Sequence, residues 1–318
     1  MNVNEELSEL VAFYNVENLF PPDLPSVHRL DPTKSGLRNW DERKFKTKLS
    51  KIAHVFRLLK EKENVLPMLI GLSEVSGQAP LEELLSMEPF NSEFGVVHYD
   101  SMDERGVDVA LLYDKKKIEI ISSEPISYFF EIEDGNPANY DTTRDILHCR
   151  VKYSGEIIHV FVLHLPSKRE RDINEPKRTY ILSQLREKVL EITTNWKEPV
   201  IICGDFNENP DEDNIQKLLY DDEKNTILIN PSLNLYKQRK FSTFHYKDGL
   251  LFDQILFSTE FSGQNNILKF ENSYIFNHEK LAVWRKNLEG RPFRTFAGTR
   301  YLGGYSDHFL VYSKLIKI

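Results

Sequence analysis

One stretch of this chain places two polar side chains directly after an apolar run. Val200–Asn207 reads Val-Ile-Ile-Cys-Gly-Asp-Phe-Asn, so Asp205 and Asn207 stand at the mouth of a predicted buried strand. We expect Gly204 to let the backbone turn sharply there. A carboxylate and a carboxamide in this position suit cation binding or the positioning of a reactive group. Asp and Asn also favour ordinary turns, so this string alone leaves both interpretations open.

A second stretch near the other end, Tyr305–Tyr312, has the same design. Asp307 and His308 stand directly before its apolar residues. A third apolar run, Leu250–Phe257, is interrupted by Asp253, and an aspartate inside such a run is rare unless it is paired. A histidine would be a natural partner, and such a pair is typical of acid–base chemistry.

Three further polar residues end apolar runs. Asn15 closes Leu10–Asn15, Glu74 follows Leu66–Ser73, and His164 closes a later run that several cations follow. A carboxylate that ends a buried strand is unfavourable unless something positive meets it, so Glu74 is a candidate ligand. Asn15 has an ordinary alternative as a turn residue before a proline-rich loop, and His164 has one as a structural histidine.

The candidate ligands indicate one kind of metal. Oxygen ligands from carboxylates and an amide suit Mg²⁺ or Mn²⁺, whereas zinc prefers more nitrogen or sulfur. Mg²⁺ is normally held by one or two carboxylates, with water and substrate phosphate in the remaining positions. The sequence has none of the motifs GxxxxGK, GxGxxG, HExxH, GxSxG or CxxC, which excludes the common nucleotide-loop, zincin and serine-hydrolase sites. The chemistry indicated is hydrolysis of a phosphate ester.

The elements that must position these residues alternate between strands and helices. Trp40–Glu63 has a helical apolar stripe, and we expect its lysines to lie on the solvated face without a function. Asp145–Tyr153 and Glu156–Leu165, joined by Ser-Gly, predict a hairpin. Lys177–Trp196 predicts a helix that leads back to the central strand. This alternation favours α/β layers with mixed sheets.

Composition limits the classes of partner. The chain has 318 residues, 40% of them hydrophobic, and a formal net charge of -8, which disfavours long non-specific wrapping of nucleic acid but not a locally basic cleft. Its two cysteines, Cys149 and Cys203, are too few for a disulfide framework, and we expect buried free thiols. The acidic first residues and the lack of a long apolar run predict a soluble, cytoplasmic protein without a transmembrane segment.

The segment Asn277–Gly304 is basic and aromatic. It interleaves arginines and lysines with phenylalanine, tryptophan and tyrosine, among them Trp284 and Arg294. Such a segment suits a phosphate-bearing substrate, and it equally suits a packed loop.

Six short motifs, taken in order, carry a family resemblance. They are Tyr14-Asn-Val-Glu-Asn, Gly71-Leu-Ser-Glu, Leu163-His, Gly204-Asp-Phe-Asn, Phe252-Asp-Gln-Ile and Ser306-Asp-His. Each one is weak alone, but together they resemble the endonuclease/exonuclease/phosphatase superfamily, which has the deoxyribonuclease I-like fold. The resemblance implies a four-layer α/β/β/α sandwich, two packed mixed β-sheets flanked by helices, in a single domain over residues 1–318.

The resemblance also implies roles for the candidate residues. Asn15 and Glu74 match the metal-binding amide and carboxylate of the family, and Asp307 is an expected additional ligand for Mg²⁺ or Mn²⁺. The remaining expected site residues share roles in catalysis or in binding the substrate phosphate: His308 oriented by Asp253, then Asp205, Asn207, His164 and Arg144. Whether His308 or Asp205 takes the proton from water stays open at this point.

The predicted activity is hydrolysis of phosphodiester bonds, most favourably in nucleic acid, by a monomer. His164 stands where abasic-site repair members of the family usually carry tyrosine, which disfavours a role in base-excision repair. A phosphatase or phosphodiesterase of small, inositol or lipid-derived phosphates is the alternative within hydrolases. A non-catalytic binding scaffold is disfavoured because every expected position is filled.

Overall fold

The protein is described here by a computed structural model, which covers residues 8–24, 35–132, 140–168, 171–263, 266–286 and 288–318. Its strands are β1 (Ser8–Leu19), β2 (Leu69–Val75), β3 (Phe94–His98), β4 (Asp108–Asp114), β5 (Ile118–Ile126), β6 (Phe129–Glu131), β7 (Tyr140–Thr142), β8 (Ile146–Tyr153), β9 (Glu156–His164), β10 (Val200–Asp205), β11 (Leu228–Ile229), β12 (Thr243–His245), β13 (Asp248–Leu250), β14 (Asp253–Ser258), β15 (Leu268–Phe276), β16 (Phe296–Ala297), β17 (Arg300–Tyr301) and β18 (Leu310–Lys317). Its α-helices are α1 (Glu42–Glu63), α2 (Gln78–Ser86), α3 (Glu175–Glu191), α4 (Asp213–Leu218) and α5 (Ser232–Lys237).

Two mixed sheets of six strands each form the centre of the molecule. The first has the strand order β15-β18-β1-β2-β4-β3, and the second has the order β11-β14-β10-β9-β8-β5. In the first, β1 runs parallel to β2 and antiparallel to β18, and in the second, β10 runs parallel to β9 and antiparallel to β14. The predicted hairpin is confirmed, since β8 and β9 pair antiparallel. With helices on both outer faces, the predicted four-layer sandwich is confirmed.

Both faces of the central strands are buried, which explains their continuous apolar runs. In β1, Leu10 and Ala12 pack with the residues around α1, whereas Val11 and Phe13 face the second sheet. In β10, Ile201 and Cys203 face the first sheet, and their neighbours pack with the residues around α3. Because side chains alternate along a strand, each run contributes to two hydrophobic layers at once.

The two sheets pack tightly against each other at Gly71. A Cβ atom added there would lie 2.6 Å from the Cys203 sulfur and 3.1 Å from Val162. The glycine is therefore required for the sheets to pack beside the site. Cys149 and Cys203 are both buried free thiols, as predicted.

Helix α1 is close to its predicted range, but one of its lysines is buried and not exposed as predicted. Its N-cap is Asp41, whose side chain accepts a hydrogen bond from the backbone of Lys44. The expectation that its lysines lie on the solvated face is wrong for Lys48, which is 1% exposed. No helix in the described part of the chain is long and apolar enough to cross a membrane.

Candidate active site

Three predicted site residues form a row across the edge of the second sheet. Asp205 at the end of β10 pairs in register with His164 at the end of β9 and with Asp253 at the start of β14. Residues directly opposite each other on adjacent strands project to the same face of a sheet. The sheet thereby brings together three residues that are far apart in sequence.

His308 completes this row from the first sheet. Its Nδ1 lies 2.7 Å from Asp253 Oδ2, as the pairing of an interrupted apolar run with a histidine predicted. Ser242 donates a hydrogen bond to the same carboxylate oxygen, and Thr243 forms a β-bridge with His308. Asp253 is fully buried, and its other oxygen, Oδ1, has no hydrogen-bond partner among the described residues. The imidazole is thus oriented by a carboxylate that water cannot solvate.

The surrounding charges favour the imidazolium form of His308. Burial alone lowers its pKa, but Asp253, Asp205 and Asp307 together raise that pKa well above 6.5. The second ring nitrogen, Nε2, lies 3.9 Å from Asp205 Oδ2 and 3.9 Å from Asp307 Oδ1. A ring held in this way is placed to donate a proton or hydrogen bond from Nε2.

Asp205 is at the centre of the site and is almost completely buried. Its Oδ2 accepts a hydrogen bond of 3.0 Å from the Asn15 amide and lies 3.7 Å from His164 Nε2, while Oδ1 accepts one of 3.0 Å from the backbone of Asn207. Burial raises its pKa to about 6, with His308 acting against the shift and Asp253 adding to it. The carboxylate is therefore still ionised near neutral pH and surrounded by donors.

The chain turns at Asn207 and not at Gly204. Gly204 lies within β10, where a Cβ atom would come 2.5 Å from the Leu163 carbonyl oxygen, so the predicted sharp turn at this glycine is wrong. Asn207 has a φ of 51°, a left-handed conformation that asparagine tolerates. Its amide donates to the Leu165 carbonyl at 2.9 Å, and the second amide hydrogen is available to a substrate.

Bulges in two neighbouring strands of the first sheet place Asn15 and Glu74. The β1–β2 register shifts after Asn15, and the β2–β4 register shifts around Glu74, whose φ is 61°. A bulge redirects a side chain out of the regular alternation. The Glu74 carboxylate accepts a hydrogen bond of 3.1 Å from the backbone of Asn18, which ties the two bulges together. Glu74 follows Ser73, the residue paired with Asn15, so the two candidate ligands lie on adjacent strands.

The donor set fits a hard cation at this edge. Glu74 is partly exposed. Its charge and that of Asp205 act to raise the pKa of Arg144. The charges of Glu74 and Asp307 act to raise the pKa of Lys48. The Asn15 amide oxygen accepts one backbone hydrogen bond, from Glu17 at 3.0 Å, and an amide oxygen has a second lone pair. Asp205, Asp253 and His308 also form a compact set of ligand atoms, but Asp253 and His308 Nδ1 are engaged with each other. These two groups are therefore not both free to bind a cation.

Sequence reasoning missed a buried charge network behind the metal candidates. Glu17 accepts hydrogen bonds from the backbones of Thr295 and Phe296, and burial together with Asp307 raises its pKa to about 7. Burial lowers the pKa of Lys48 to about 8, although Glu17, Asp307 and Glu74 all act to raise it. A lysine at the position of Lys48, inside the apolar stripe of α1, was the available signal.

The loop after β10 is fixed by a second buried pair that was also missed. Arg178 in α3 donates to Glu208 at 2.8 Å and to the Pro166 carbonyl at 3.2 Å, and both charged side chains are at most 2% exposed. Asn214 donates to the same carboxylate at 2.9 Å. Arg178 also lies on the apolar stripe of its helix, which is the signal that a sequence offers for such a buried cation.

The remaining predicted residues border the same edge. Arg144 is mostly buried, with Nε 3.5 Å from Asp103 Oδ2, and burial lowers its pKa while Asp103 and Glu74 act to raise it. Asp307 is partly exposed and accepts a hydrogen bond of 2.8 Å from Arg294. The basic and aromatic segment therefore supplies at least one residue to the edge of the site.

Comparisons with solved structures support the fold described above. Among solved structures, the chain is similar to D. rerio TDP2 complexed with a single-strand DNA product, with 16% identity, a TM-score of 0.57 and coverage of 97% of this chain and 98% of that chain. It is similar to the human Nocturnin catalytic domain with bound sulfate at 16% identity and a TM-score of 0.58, covering 98% and 95%. It is also similar to a mannosyl-6-phosphatase of Bacteroides thetaiotaomicron at 15% identity and a TM-score of 0.58, covering 97% and 99%.

These structural matches share the fold at low sequence identity. A sequence comparison with curated proteins found no match. The sequence profile described as Endonuclease/Exonuclease/phosphatase family matches residues 10–317, nearly the whole chain. Members of that family are divalent-metal-dependent hydrolases of phosphoester bonds. Because the match includes every residue of the site just described, the chain belongs to the endonuclease/exonuclease/phosphatase family.

Proposed function

We propose that this enzyme hydrolyses phosphodiester bonds in single-stranded nucleic acid with Mg²⁺ or Mn²⁺. The observation that carries the proposal is the row of His164, Asp205 and Asp253 in register, with His308 closing it from the other sheet. The family supplies phosphoester hydrolysis as the reaction class. One domain over residues 1–318, acting as a cytoplasmic monomer, is part of the proposal, and light scattering against the 37.3 kDa chain mass tests the monomer.

Glu74, Asn15 and Asp307 are the residues that we propose hold the cation. Bound Mg²⁺ or Mn²⁺ would offset negative charge on the phosphate during attack by water. Glu74 provides the carboxylate at a bulge, and Asn15 provides an amide oxygen from the neighbouring strand. Asp307 contributes either directly or through water. The Asn15 amide nitrogen is bound to Asp205, so the same side chain aligns the metal side of the site with the catalytic row.

The charges around the row separate the roles of Asp205 and His308. Asp205 is ionised near neutral pH and is held by donors on both oxygens, so it orients the attacking water and accepts its proton. Three carboxylates favour the protonated form of His308, so Nε2 donates toward the reacting phosphate. Asp253 fixes the ring from Nδ1. We therefore propose Asp205, and not His308, as the base, a question that the sequence left open.

Three other side chains are proposed to bind the phosphate. His164 at the end of β9 stands beside Asp205 and would donate to a non-bridging oxygen, where negative charge grows during attack. Asn207 has an amide hydrogen beyond the one it gives to Leu165. Arg144, whose pKa the charges of Glu74 and Asp205 act to raise, would add a positive charge that binds the phosphate.

Two hairpins beside the site support a nucleic-acid strand as substrate. The β12–β13 hairpin has Tyr246 at its tip, 80% exposed, and a second hairpin, in which Ala282 forms a β-bridge with Pro292, presents Trp284, 84% exposed. Arg291 lies 5.3 Å from the Phe244 ring centroid, so the two hairpins are in contact. We call the two exposed rings, Tyr246 and Trp284, the aromatic wall.

The segments that carry the aromatic wall are connected to the catalytic residues. Ser242, next to β12, binds Asp253, and Thr243 pairs with His308. Arg294, which follows the second hairpin, binds Asp307. Exposed rings interleaved with cations are typical of surfaces on which successive bases stack. Such a wall serves an unpaired strand better than a duplex, whose bases are already stacked.

A small phosphate ester is the second candidate substrate. The net charge of -8 weighs against tight binding of a polyanion, and one structural relative is a mannosyl-6-phosphatase. That likeness is one of fold, so it favours neither substrate over the other.

The test is hydrolysis of single- and double-stranded DNA, RNA, an inositol polyphosphate, a hexose 6-phosphate and a generic phosphodiester, each with Mn²⁺ and Mg²⁺. We expect the highest kcat/KM on a single strand. Failure to cleave any nucleic acid, with turnover of a monoester, would replace the proposal with the second candidate.

A further inference from the structure

A second cluster of ligand atoms lies at one end of the β3–β4 hairpin, outside the catalytic row. His98 ends β3, Asp108 begins β4, and Asp100 lies in the connecting loop. One nitrogen of His98 and one oxygen from each aspartate all lie within 4.8 Å of one another. The His98 side chain is 2% exposed and that of Asp108 is 5% exposed, whereas Asp100 is 83% exposed.

The hydrogen bonds around His98 leave its second nitrogen facing two acceptors. His98 Nδ1 lies 3.1 Å from the Val109 carbonyl oxygen, a contact that requires the proton on Nδ1. In the neutral ring, Nε2 then carries a lone pair, and it lies 3.2 Å from Asp100 Oδ1 and 4.0 Å from Asp108 Oδ2. Three acceptors that converge without a donor between them require a cation or an added proton.

We propose that His98, Asp100 and Asp108 form a binding site for Zn²⁺, separate from the catalytic cation. One imidazole nitrogen with two carboxylate oxygens is a donor set that zinc accepts in proteins, with water in the fourth position. Metal–ligand bonds of about 2.0–2.2 Å place neighbouring ligand atoms roughly 3.3 Å apart in a tetrahedral site. The separation of 3.2 Å between His98 and Asp100 matches this value, and the 4.0 Å to Asp108 needs a movement of less than about 1 Å.

The surroundings of the three ligands are those of a prepared metal site. A ligating histidine usually donates its other N–H to a carbonyl or carboxylate, as His98 does to Val109. The second oxygen of Asp108 accepts hydrogen bonds from the backbone and the hydroxyl of Ser101, which fixes the carboxylate. Exposed Asp100 leaves an open side through which an ion can enter.

The position of the cluster links it to the catalytic edge. The loop that carries Asp100 also carries Asp103, whose carboxylate lies 3.5 Å from Arg144 Nε. Thr142 donates to the carbonyl of Met102 in the same loop. An ion bound by His98 and Asp108 at the base of this loop, and by Asp100 within it, would hold Asp103 against Arg144.

The test measures zinc binding by the full chain, without reference to activity. Metal-free protein is titrated with Zn²⁺ by calorimetry, and with Co²⁺ as a spectroscopic probe. We expect Asp100→Asn and His98→Gln each to weaken one zinc equivalent by at least tenfold, whereas Glu74→Gln and His148→Gln retain it. Asp100→Asn is the decisive variant, because an exposed side chain can change without unfolding the protein.

Two outcomes would overturn the zinc site. Zinc affinity and stoichiometry equal to the parent in both Asp100→Asn and His98→Gln would remove these residues as ligands. An NMR titration in which the His98 ring responds to pH but not to Zn²⁺ would show that a proton alone occupies the cluster. Neither result depends on whether the enzyme cleaves nucleic acid.

Discussion

Two clusters at the second sheet combine the same chemical groups, imidazoles and carboxylates, and differ in what they can do. At the catalytic edge, His308 meets Asp253 and Asp205. Elsewhere on the same sheet, His148 in β8 and His159 in β9 form a buried pair, with His148 Nε2 2.9 Å from His159 Nδ1. We call these two the histidine pair. Composition alone does not distinguish the two clusters.

The carboxylates and their exposure distinguish them. The histidine pair contacts Glu124 at 3.0 Å and Glu198 at 2.6 Å, and both of these carboxylates reach solvent. The ring of His148 also stacks on Phe161, with ring centroids 4.3 Å apart. Burial lowers the pKa of both histidines, although the glutamates act in the opposite direction. The pair is a packed structural element.

The catalytic edge shows the reverse balance. Asp253 and Asp205 are buried with the ring, so their charge cannot be screened by water and raises the pKa of His308. Within the described part of the chain Asp253 Oδ1 lacks a hydrogen-bond partner, whereas the two glutamates bound to the histidine pair reach solvent. Buried, incompletely satisfied charge is costly for folding and is characteristic of sites that perform chemistry.

The largest expected effect comes from His308→Ala. Loss of the imidazolium removes a donor to the reacting phosphate and leaves Asp253 without its partner, so we expect kcat to fall by about a hundredfold or more. Steady-state hydrolysis of the best substrate at saturating Mn²⁺ measures this.

His148→Gln is the matched control for that variant. It removes a buried histidine from the second sheet, which carries Asp205 and Asp253, and we expect kcat within a factor of about two of the parent and a lower unfolding midpoint. A hundredfold loss of kcat in the folded control, or none in His308→Ala, would break the distinction between the two clusters.

Glu74→Gln is expected to have the next largest effect, on metal dependence. The carboxamide keeps the size of the side chain and the contact with the Asn18 backbone but removes the charge that a divalent cation needs. We expect the Mn²⁺ concentration at half-maximal activity to rise at least tenfold.

Glu63→Gln provides a comparison for Glu74→Gln, because Glu63 is a partly buried carboxylate bound to Lys314 and Tyr312, away from the row. We expect its Mn²⁺ dependence to equal that of the parent. A metal titration of Glu74→Gln that overlays the parent would exclude Glu74 as a ligand.

The sequence indicated those candidate residues that stand at the ends of strands. It did not indicate the buried residues whose partners lie in another layer of the fold. Asp205 and His308 were visible because a polar residue next to an apolar run contrasts with its neighbours. The roles of Glu17 and Lys48 depend on contacts with Thr295, nearly the whole chain away. The register shifts that place Glu74 leave no periodic signal, because a bulge is a local departure from alternation. Layer order followed from the family resemblance.

A smaller effect is expected from the aromatic wall. Tyr246→Ala and Trp284→Ala each remove an exposed ring, and stacking of one base contributes about 1–3 kcal/mol. We expect KM for a single strand to rise roughly tenfold, with kcat nearly unchanged, because the rings do not touch the catalytic row.

Tyr180→Ala is the control, since Tyr180 is a half-exposed ring on α3, on the outer face of the second sheet. We expect no change in KM. If KM for a single strand equals the parent value in all three variants, the substrate does not lie along the hairpins. That result would favour the small phosphate ester as substrate.

The smallest expected effect is the contribution of the histidine pair to stability as pH changes. Burial lowers the pKa of His148 and His159 in the folded chain below the ordinary value, against the opposing effect of Glu124 and Glu198, while Arg150 adds to the lowering. The unfolded chain therefore binds more protons than the folded chain below pH of about 6.5. The stabilising contribution is complete above that pH and declines as pH falls toward the folded-state values.

The double variant His148→Gln, His159→Gln isolates this contribution from the buried carboxylates, whose raised pKa values act in the opposite direction. Urea unfolding of both proteins at several pH values from 8 down to 5 gives the difference in unfolding free energy, and we expect the parent to lose its advantage over the variant as pH falls. The opposite result, in which the stability difference between parent and variant grows as pH falls, would show that the pair takes up a proton. The three contacts from Glu124 through both rings to Glu198 need three protons if all are hydrogen bonds, and two neutral rings supply only two. Such a result would mean that the pair takes up the third proton and resembles the catalytic edge more closely than its lowered pKa values indicate.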